Sequence, residues 1–145
     1  MIDNYFELIE RTILDFKAII NSYTIFKKTY SEKQGYIKGE ILFKNNSQFR
    51  FIEVKNTELK RKIKYRYQYM DKDNTLIFRY DNALHHRELA TFPHHKHIGD
   101  NIFESHEPEL FELLIEIQKF TKQEREFSGL SKWNDGAICF PRRRR

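Results

Sequence analysis

Apolar side chains near the start of the chain, Phe6, Ile9, Ile13, Phe16 and Ile20, recur every three or four residues. That spacing lines one side of a helix. It predicts a helix over residues 4–20, with Asn4 capping the first turn and Glu7 three residues later. The stripe carries no polar group, so it reads as a packing surface rather than a catalytic one. From Ser22 the period falls to two. Runs at Ser22–Tyr30, Tyr36–Lys44, Gln48–Val54, Ile63–Met70 and Thr75–Asp81 are rich in Tyr, Phe, Ile and Val. They are separated by Ser31–Gly35, Asn45–Ser47, the polar link Lys55–Lys60 and Asp71–Asn74, which are turn chemistry. Closely spaced strands with short turns predict an antiparallel meander.

Residues 82–107 are expected to form a loop or irregular strand, because Pro93 interrupts regular structure. A last helix follows, with Pro108 in its first turn and Leu110, Leu113, Leu114, Ile117 and Phe120 toward the core. Its acids Glu109, Glu112 and Glu116 come early and its bases Lys119, Lys122 and Arg125 late, which suits the helix dipole; Gly129 is the expected stop. The expected architecture is α+β: an antiparallel meander of about five strands with N-terminal and C-terminal helices packed on it. Residues 1–127 form one domain, and residues 128–145 a loosely held basic tail docked through Trp133, Ile138 and Phe140.

Alternation puts Ile63, Tyr65, Tyr67 and Tyr69 on one face of the fourth strand and Lys62, Lys64, Arg66 and Gln68 on the other. If Asp71 faces Asn74 across the turn, Tyr69, Tyr67 and Tyr65 pair with Leu76, Phe78 and Tyr80 as an aromatic core face. Arg66 then lies directly across from Arg79. Like charges so placed destabilise a sheet pair, and either a carboxylate (Asp81 or Glu53 beside Arg79) or a bound anion such as phosphate must offset them.

Composition narrows the setting. The 145 residues suit one domain, and the 15% aromatic content compensates for a modest hydrophobic share of 39%. The formal net charge is +5, but Arg142–Arg145 supply four of those charges. The basic character that matters is therefore local, at Lys60, Arg61, Lys62, Lys64 and Arg66 and in the tail. The single cysteine, Cys139, rules out an intrachain disulfide and suggests a reducing compartment. Met1–Asn4 has neither the basic start nor the apolar run of a secretory signal, and no apolar run approaches the ~20 residues of a membrane span. A soluble cytoplasmic protein with no membrane partner is expected.

All six histidines fall between His85 and His106, as His85-His86, His94-His95-Lys96-His97 and His106. Three readings stay open. In the first, two histidines act as general base and general acid in RNA cleavage, a task for which their pKa is suited. Arg66, Arg79 and Lys96 stabilise the phosphorane charge, and Tyr65 or Tyr80 positions the phosphate or stacks a base. In the second, His95 and His97, two apart on an extended segment, chelate a divalent metal with His86 or Asp81 as third ligand and an open position for water. In the third, the histidines are loop residues bonded to backbone and packed on tyrosines. The Lys60–Lys64 run is weak by itself; beside the tyrosines it reads as a nucleic-acid surface.

The string Leu76-Ile77-Phe78-Arg79-Tyr80-Asp81-Asn82, the pair His85-His86 and the run Phe92-Pro93-His94-His95-Lys96-His97, preceded by Tyr65, Tyr67 and Tyr69, resemble the TumE-type toxins of prokaryotic toxin–antitoxin pairs. The resemblance covers about residues 4–118, with the stretch beyond Thr121 additional. It implies a growth-inhibiting toxin neutralised by a partner, a cognate DNA-binding antitoxin.

The resulting expectation is a toxin that cleaves RNA as a metal-independent endoribonuclease with no cofactor. The expected catalytic set is His86, His95, His97, Arg79, Tyr80 and Asp81, and the RNA-contacting set Lys62, Lys64, Arg66, Lys96 and Tyr65. A homodimer is left open. The alternative is a non-enzymatic nucleic-acid-binding protein or an accessory of an antiviral defence complex. Arg142–Arg145 are expected to add salt-sensitive, non-specific affinity.

Overall fold

The structure, a computed structural model, describes the backbone of residues 1–133 and the side chains of residues 1–122. Helix α1 (Ile2–Asp15) leads into seven strands: β1 (Ile20–Thr29), β2 (Gln34–Phe43), β3 (Gln48–Asn56), β4 (Lys64–Met70), β5 (Leu76–Asp81), β6 (His95–Ile98) and β7 (Asn101–Glu104). Helix α2 (Leu110–Trp133) follows. The strands lie in one antiparallel sheet in chain order. The expected α+β class with two terminal helices holds, and the five expected strands are present within two residues of their expected limits.

Two strands were not expected. Residues 95–104, within the stretch expected as a loop or irregular strand, form a regular hairpin closed by Gly99-Asp100, with Ile98 paired to Asn101 and Gly99 at φ 58. A two-residue Gly-Asp loop supplies the left-handed backbone that matches strand twist. The first helix also begins earlier and ends sooner than expected, capped at Met1 rather than Asn4. Helix α2 starts two residues beyond Pro108 and continues through Gly129. A glycine costs a helix only about 1 kcal/mol relative to alanine. Residues 134–145, which include Arg142–Arg145, Ile138 and Phe140, lie outside the described residues, as does the side chain of Trp133.

One face of the sheet is the core. Ile2, Phe6, Ile9 and Ile13 of α1 and Leu110, Leu113, Leu114 and Ile117 of α2 pack with Ile37, Ile41, Phe49, Phe51, Tyr65, Tyr67, Tyr69 and Phe78. Phe51 occupies the space above Gly39, its partner across β2 and β3. A Cβ at Gly39 would stand 2.3 Å and 2.5 Å from Cε1 and Cζ of that ring. Gly39→Ala is therefore expected to destabilise the fold by about 1–3 kcal/mol through overpacking. A urea midpoint equal to wild type would show that the ring yields freely.

The register of β4 and β5 differs from expectation by two residues. Arg66 faces Asp81, Tyr67 faces Tyr80, Gln68 faces Arg79 and Tyr69 faces Phe78. The cause is the turn. Asp71 Oδ1 accepts hydrogen bonds from Asp73 N (2.8 Å) and Thr75 N (3.0 Å). Asp71 N donates to the Thr75 carbonyl, and Asn74 takes φ 63. The hairpin thus closes one residue later than Asn74, and a bulge between Tyr69 and Met70 adds a second. A slip of two keeps every side chain on its face, so the aromatic face survives. The Arg66–Arg79 opposition does not: a carboxylate, Asp81, stands across from Arg66.

Candidate functional site

The sheet face away from the helices carries two rows of side chains set by the strand register. One runs Lys38, Ile52, Arg66, Asp81, His95; the other runs Glu40, Arg50, Gln68, Arg79, His97. Where the rows reach β5 and β6, the loop after Asp81 folds back over them and brings His85 and His86. The result is a groove of about 610 Å³, floored by Tyr36, Ile52 and Val54 and walled by Lys64, Arg66, Arg79, Asp81, His85, His86, His95 and His97. Lys64 and Arg66 are exposed and hold no carboxylate among the described residues.

Asp81 organises the end of the groove. Its Oδ1 accepts from Ala83 N at 3.0 Å and lies 2.9 Å from His95 Nε2. Its Oδ2 accepts from Arg79 Nε at 3.2 Å and lies 3.6 Å from His97 Nε2. The carboxylate thus takes the place expected of an offsetting charge beside Arg79. His95 Nδ1 is 2.9 Å from the Pro93 carbonyl, which can only accept. Both nitrogens of His95 therefore face oxygen acceptors.

His97 is held in the opposite state. Arg79 Nη2 donates to His97 Nε2 at 3.3 Å. Since a guanidinium only donates, that nitrogen presents a lone pair. Desolvation first, and then the Arg79 charge, hold the His97 pKa below its ordinary value, against the pull of Asp81. The three rings of His86, His95 and His97 form one cluster, with centres 5.2 Å (His86–His95), 6.0 Å (His86–His97) and 4.8 Å (His95–His97) apart. Their side chains differ in access: 30% exposed for His86, 15% for His97 and 2% for His95. His86 sits at φ 57, a left-handed conformation costly for a side-chain-bearing residue and concentrated at functional sites.

Of the residues expected in the site, His86, His95, His97, Arg79, Asp81, Lys64 and Arg66 come together here. Four do not. Lys62 is 2% exposed on the helix side, with Nζ donating to the Pro108 carbonyl at 2.8 Å and lying 3.8 Å from Glu107 and 3.6 Å from Glu109. Lys62 precedes β4, so the strand's alternation does not govern its direction. Tyr65 borders the groove, but its side chain points into the core, with the hydroxyl bonded to His94 Nδ1 at 2.8 Å. Tyr80 Oη donates to Glu116 at 2.8 Å, and Lys96 Nζ reaches the same carboxylate at 3.0 Å. Lys96 lies between His95 and His97 on a strand, so alternation sends it to the helix side.

The groove floor and a clamp lie outside the residues expected in the site. Tyr36, on β2, shares a face with Lys38, a relation visible in the two-residue period. Asn82 Oδ1 accepts from Tyr65 N at 3.0 Å and its Nδ2 donates to the Ile63 carbonyl at 3.2 Å. It thereby extends the β5 ladder by a side chain and fixes where the histidine loop departs. Nothing in the sequence marks that role beyond the asparagine's position just after the strand.

A family model described as Toxin TumE matches residues 7–125. The chain belongs to the TumE toxin family. No curated protein and no solved structure gives a match. Every groove-lining residue lies inside the matched span, as does the core apart from Ile2 and Phe6. As a TumE-family toxin it belongs with an antitoxin partner. Among the described residues no helix is long and apolar enough to cross a membrane.

Proposed function

We propose that this TumE-family toxin is an endoribonuclease that cleaves RNA in the groove on the sheet's open face without a metal. The observation that carries the reading is the junction of a lone-pair-bearing imidazole, a second accessible imidazole and three cations in one groove. His97 Nε2 takes the proton from the ribose 2′-hydroxyl. The 2′-oxygen forms a bond to phosphorus, and the bond from phosphorus to the 5′-oxygen breaks. His86 gives a proton to that leaving oxygen. The products are a 2′,3′-cyclic phosphate and a 5′-hydroxyl end. Ring centres 6.0 Å apart leave room for the two apical oxygens once each ring reaches by a hydrogen bond of about 2.6–3.2 Å.

Arg66 and Arg79 stabilise the charge on the phosphorane, and Lys64 holds the neighbouring phosphate. When phosphate enters, Arg79 turns from His97 to the substrate, which frees the lone pair at the moment it is needed. Asp81 and the enclosed His95 are positioning residues: His95 anchors Asp81, and Asp81 fixes Arg79. The expected partners are RNA and a cognate DNA-binding antitoxin.

The test is induced expression in cells together with sequencing of RNA ends, and incubation of purified protein with RNA oligonucleotides. New 5′-hydroxyl and cyclic-phosphate ends that depend on His97 and His86 are the expected result. Growth arrest with RNA left intact would remove the nuclease reading and leave the toxin. A non-enzymatic nucleic-acid binder, the other reading compatible with a basic groove, predicts that both histidine variants keep their full effect on growth.

A further inference from the structure

The geometry points to a second use of the same end of the groove: Asp81, His95 and His97 form a chelating site for one divalent transition-metal ion, whose binding switches cleavage off. This inference rests on the nuclease reading for its consequence but not for the site.

The donor atoms converge. One ligand atom from each of Asp81, His95 and His97 falls within 4.8 Å of the others, with Asp81 oxygens 2.9 Å from His95 Nε2 and 3.6 Å from His97 Nε2. Ligands about 2.0–2.1 Å from a tetrahedral zinc ion stand about 3.4 Å from one another, so the spacing needs only small side-chain movement. Two imidazoles and one carboxylate suit zinc and its borderline neighbours rather than magnesium or calcium, which prefer all-oxygen shells.

The surroundings are those of a built site. His95 donates through Nδ1 to the Pro93 carbonyl, which aims Nε2 at the metal position. Asp81 is oriented by Ala83 N and Arg79 Nε. His95 and Asp81 are 2% and 6% exposed, whereas His97 opens to the groove and leaves a fourth position for water. One contact opposes binding: the Arg79 guanidinium, 3.3 Å from His97 Nε2, must swing away. At 34% side-chain exposure it has solvent to swing into.

The inhibitory sign follows from a shared atom. His97 Nε2 is both the proposed base and a metal ligand, and one lone pair cannot serve both. Bound metal also draws Asp81 away from Arg79, loosening the cation that faces phosphate.

The experiment is calorimetric titration of the full-length protein with zinc chloride, alongside RNA-oligonucleotide cleavage at matched zinc concentrations. One zinc per chain is expected, weakened about 10–100-fold or more in Asp81→Asn and His95→Ala and unchanged in His106→Ala. Wild-type cleavage should fall with occupancy, by ~10²-fold at saturation, and return when EDTA is added. No saturable binding, or binding indifferent to Asp81→Asn and His95→Ala, would overturn the site. Cleavage that requires zinc and stops with EDTA would overturn the inhibition and the metal-free mechanism together. No cleavage under any condition would overturn the nuclease reading and the inhibition, while calorimetry still decides the site.

Discussion

His97→Ala is expected to slow RNA cleavage by about 10²–10⁴-fold while changing RNA affinity by no more than about threefold. The reason is the asymmetry of the histidine cluster. His95 is enclosed with both nitrogens engaged, and His86 approaches from the loop, whereas His97 stands on strand β6 with an Nε2 lone pair that faces Arg79. Its ring contributes little positive charge, since burial and Arg79 hold its pKa low. Its loss should therefore spare phosphate binding, which the proposed mechanism assigns to Lys64, Arg66 and Arg79. The measurement is single-turnover cleavage with a parallel binding titration. An equal loss in affinity and rate would show that His97 binds substrate rather than moving a proton. Cleavage by His97→Ala within about threefold of wild type would remove it from the chemistry.

Lys62→Ala is expected to cost about 3–5 kcal/mol of folding stability, because it removes one partner from a buried charge cluster. Lys62 lies beneath the segment leading into α2 with its ammonium over the rings of Tyr65 and Tyr67, 5.8 Å and 5.7 Å from their centres. Its charge acts on Glu53, which is 0% exposed and accepts hydrogen bonds from Tyr5 and Tyr67. Desolvation is the largest influence on Glu53 and raises its pKa above the ordinary 4.5; Lys62 and the two hydroxyls pull the other way.

A carboxyl whose folded-state pKa is raised favours folding while it is protonated. Its contribution is complete below the unfolded value and is lost as pH rises through the folded one. Without Lys62 the folded value climbs further, so the variant's deficit should widen from pH 5 to pH 8. Adding Glu53→Gln, which keeps a neutral acceptor for the tyrosine hydroxyls, should restore about 1–2 kcal/mol at pH 8. Urea unfolding of wild type, Lys62→Ala and the double variant at both pH values tests this. A Lys62→Ala unfolding free energy within about 0.5 kcal/mol of wild type would mean that the cluster is solvated.

These two variants separate groups that look alike along the chain. Lys62, Lys64 and Arg66 belong to one basic run, yet Lys62 is interior and the other two face the groove. Likewise His95, Lys96 and His97 are adjacent, yet Lys96 pairs with Glu116 beneath the sheet. Alternation already separates Lys96 from its neighbours. For Lys62, which stands ahead of β4, no local period applies, and only the packing of the Glu107–Glu109 segment against it determines its burial.

The strand faces, the aromatic core and the helix stripe were legible because they follow from local period and side-chain size. The register of β4 and β5 was not, because an Asp71 side chain and a single bulge decide it. The β6–β7 hairpin carried a readable signal in Gly99-Asp100, masked by the expectation that Pro93 ends regular structure. The histidines were legible as a group from their crowding in one segment. Their individual states were not: a proton or a lone pair on each ring is set by Arg79, Asp81 and the Pro93 carbonyl, which only the paired strands bring within reach.

By itself, then, the sequence determined which residues share a face and that one segment gathers the ionisable groups, because these depend on neighbours along the chain. The tertiary structure decided which of those groups reach water and which are paired beneath the helices. Burial and electrostatics depend on distance in space, and contacts such as Lys62 with Pro108 or Tyr67 with Glu53 join positions that no local pattern relates.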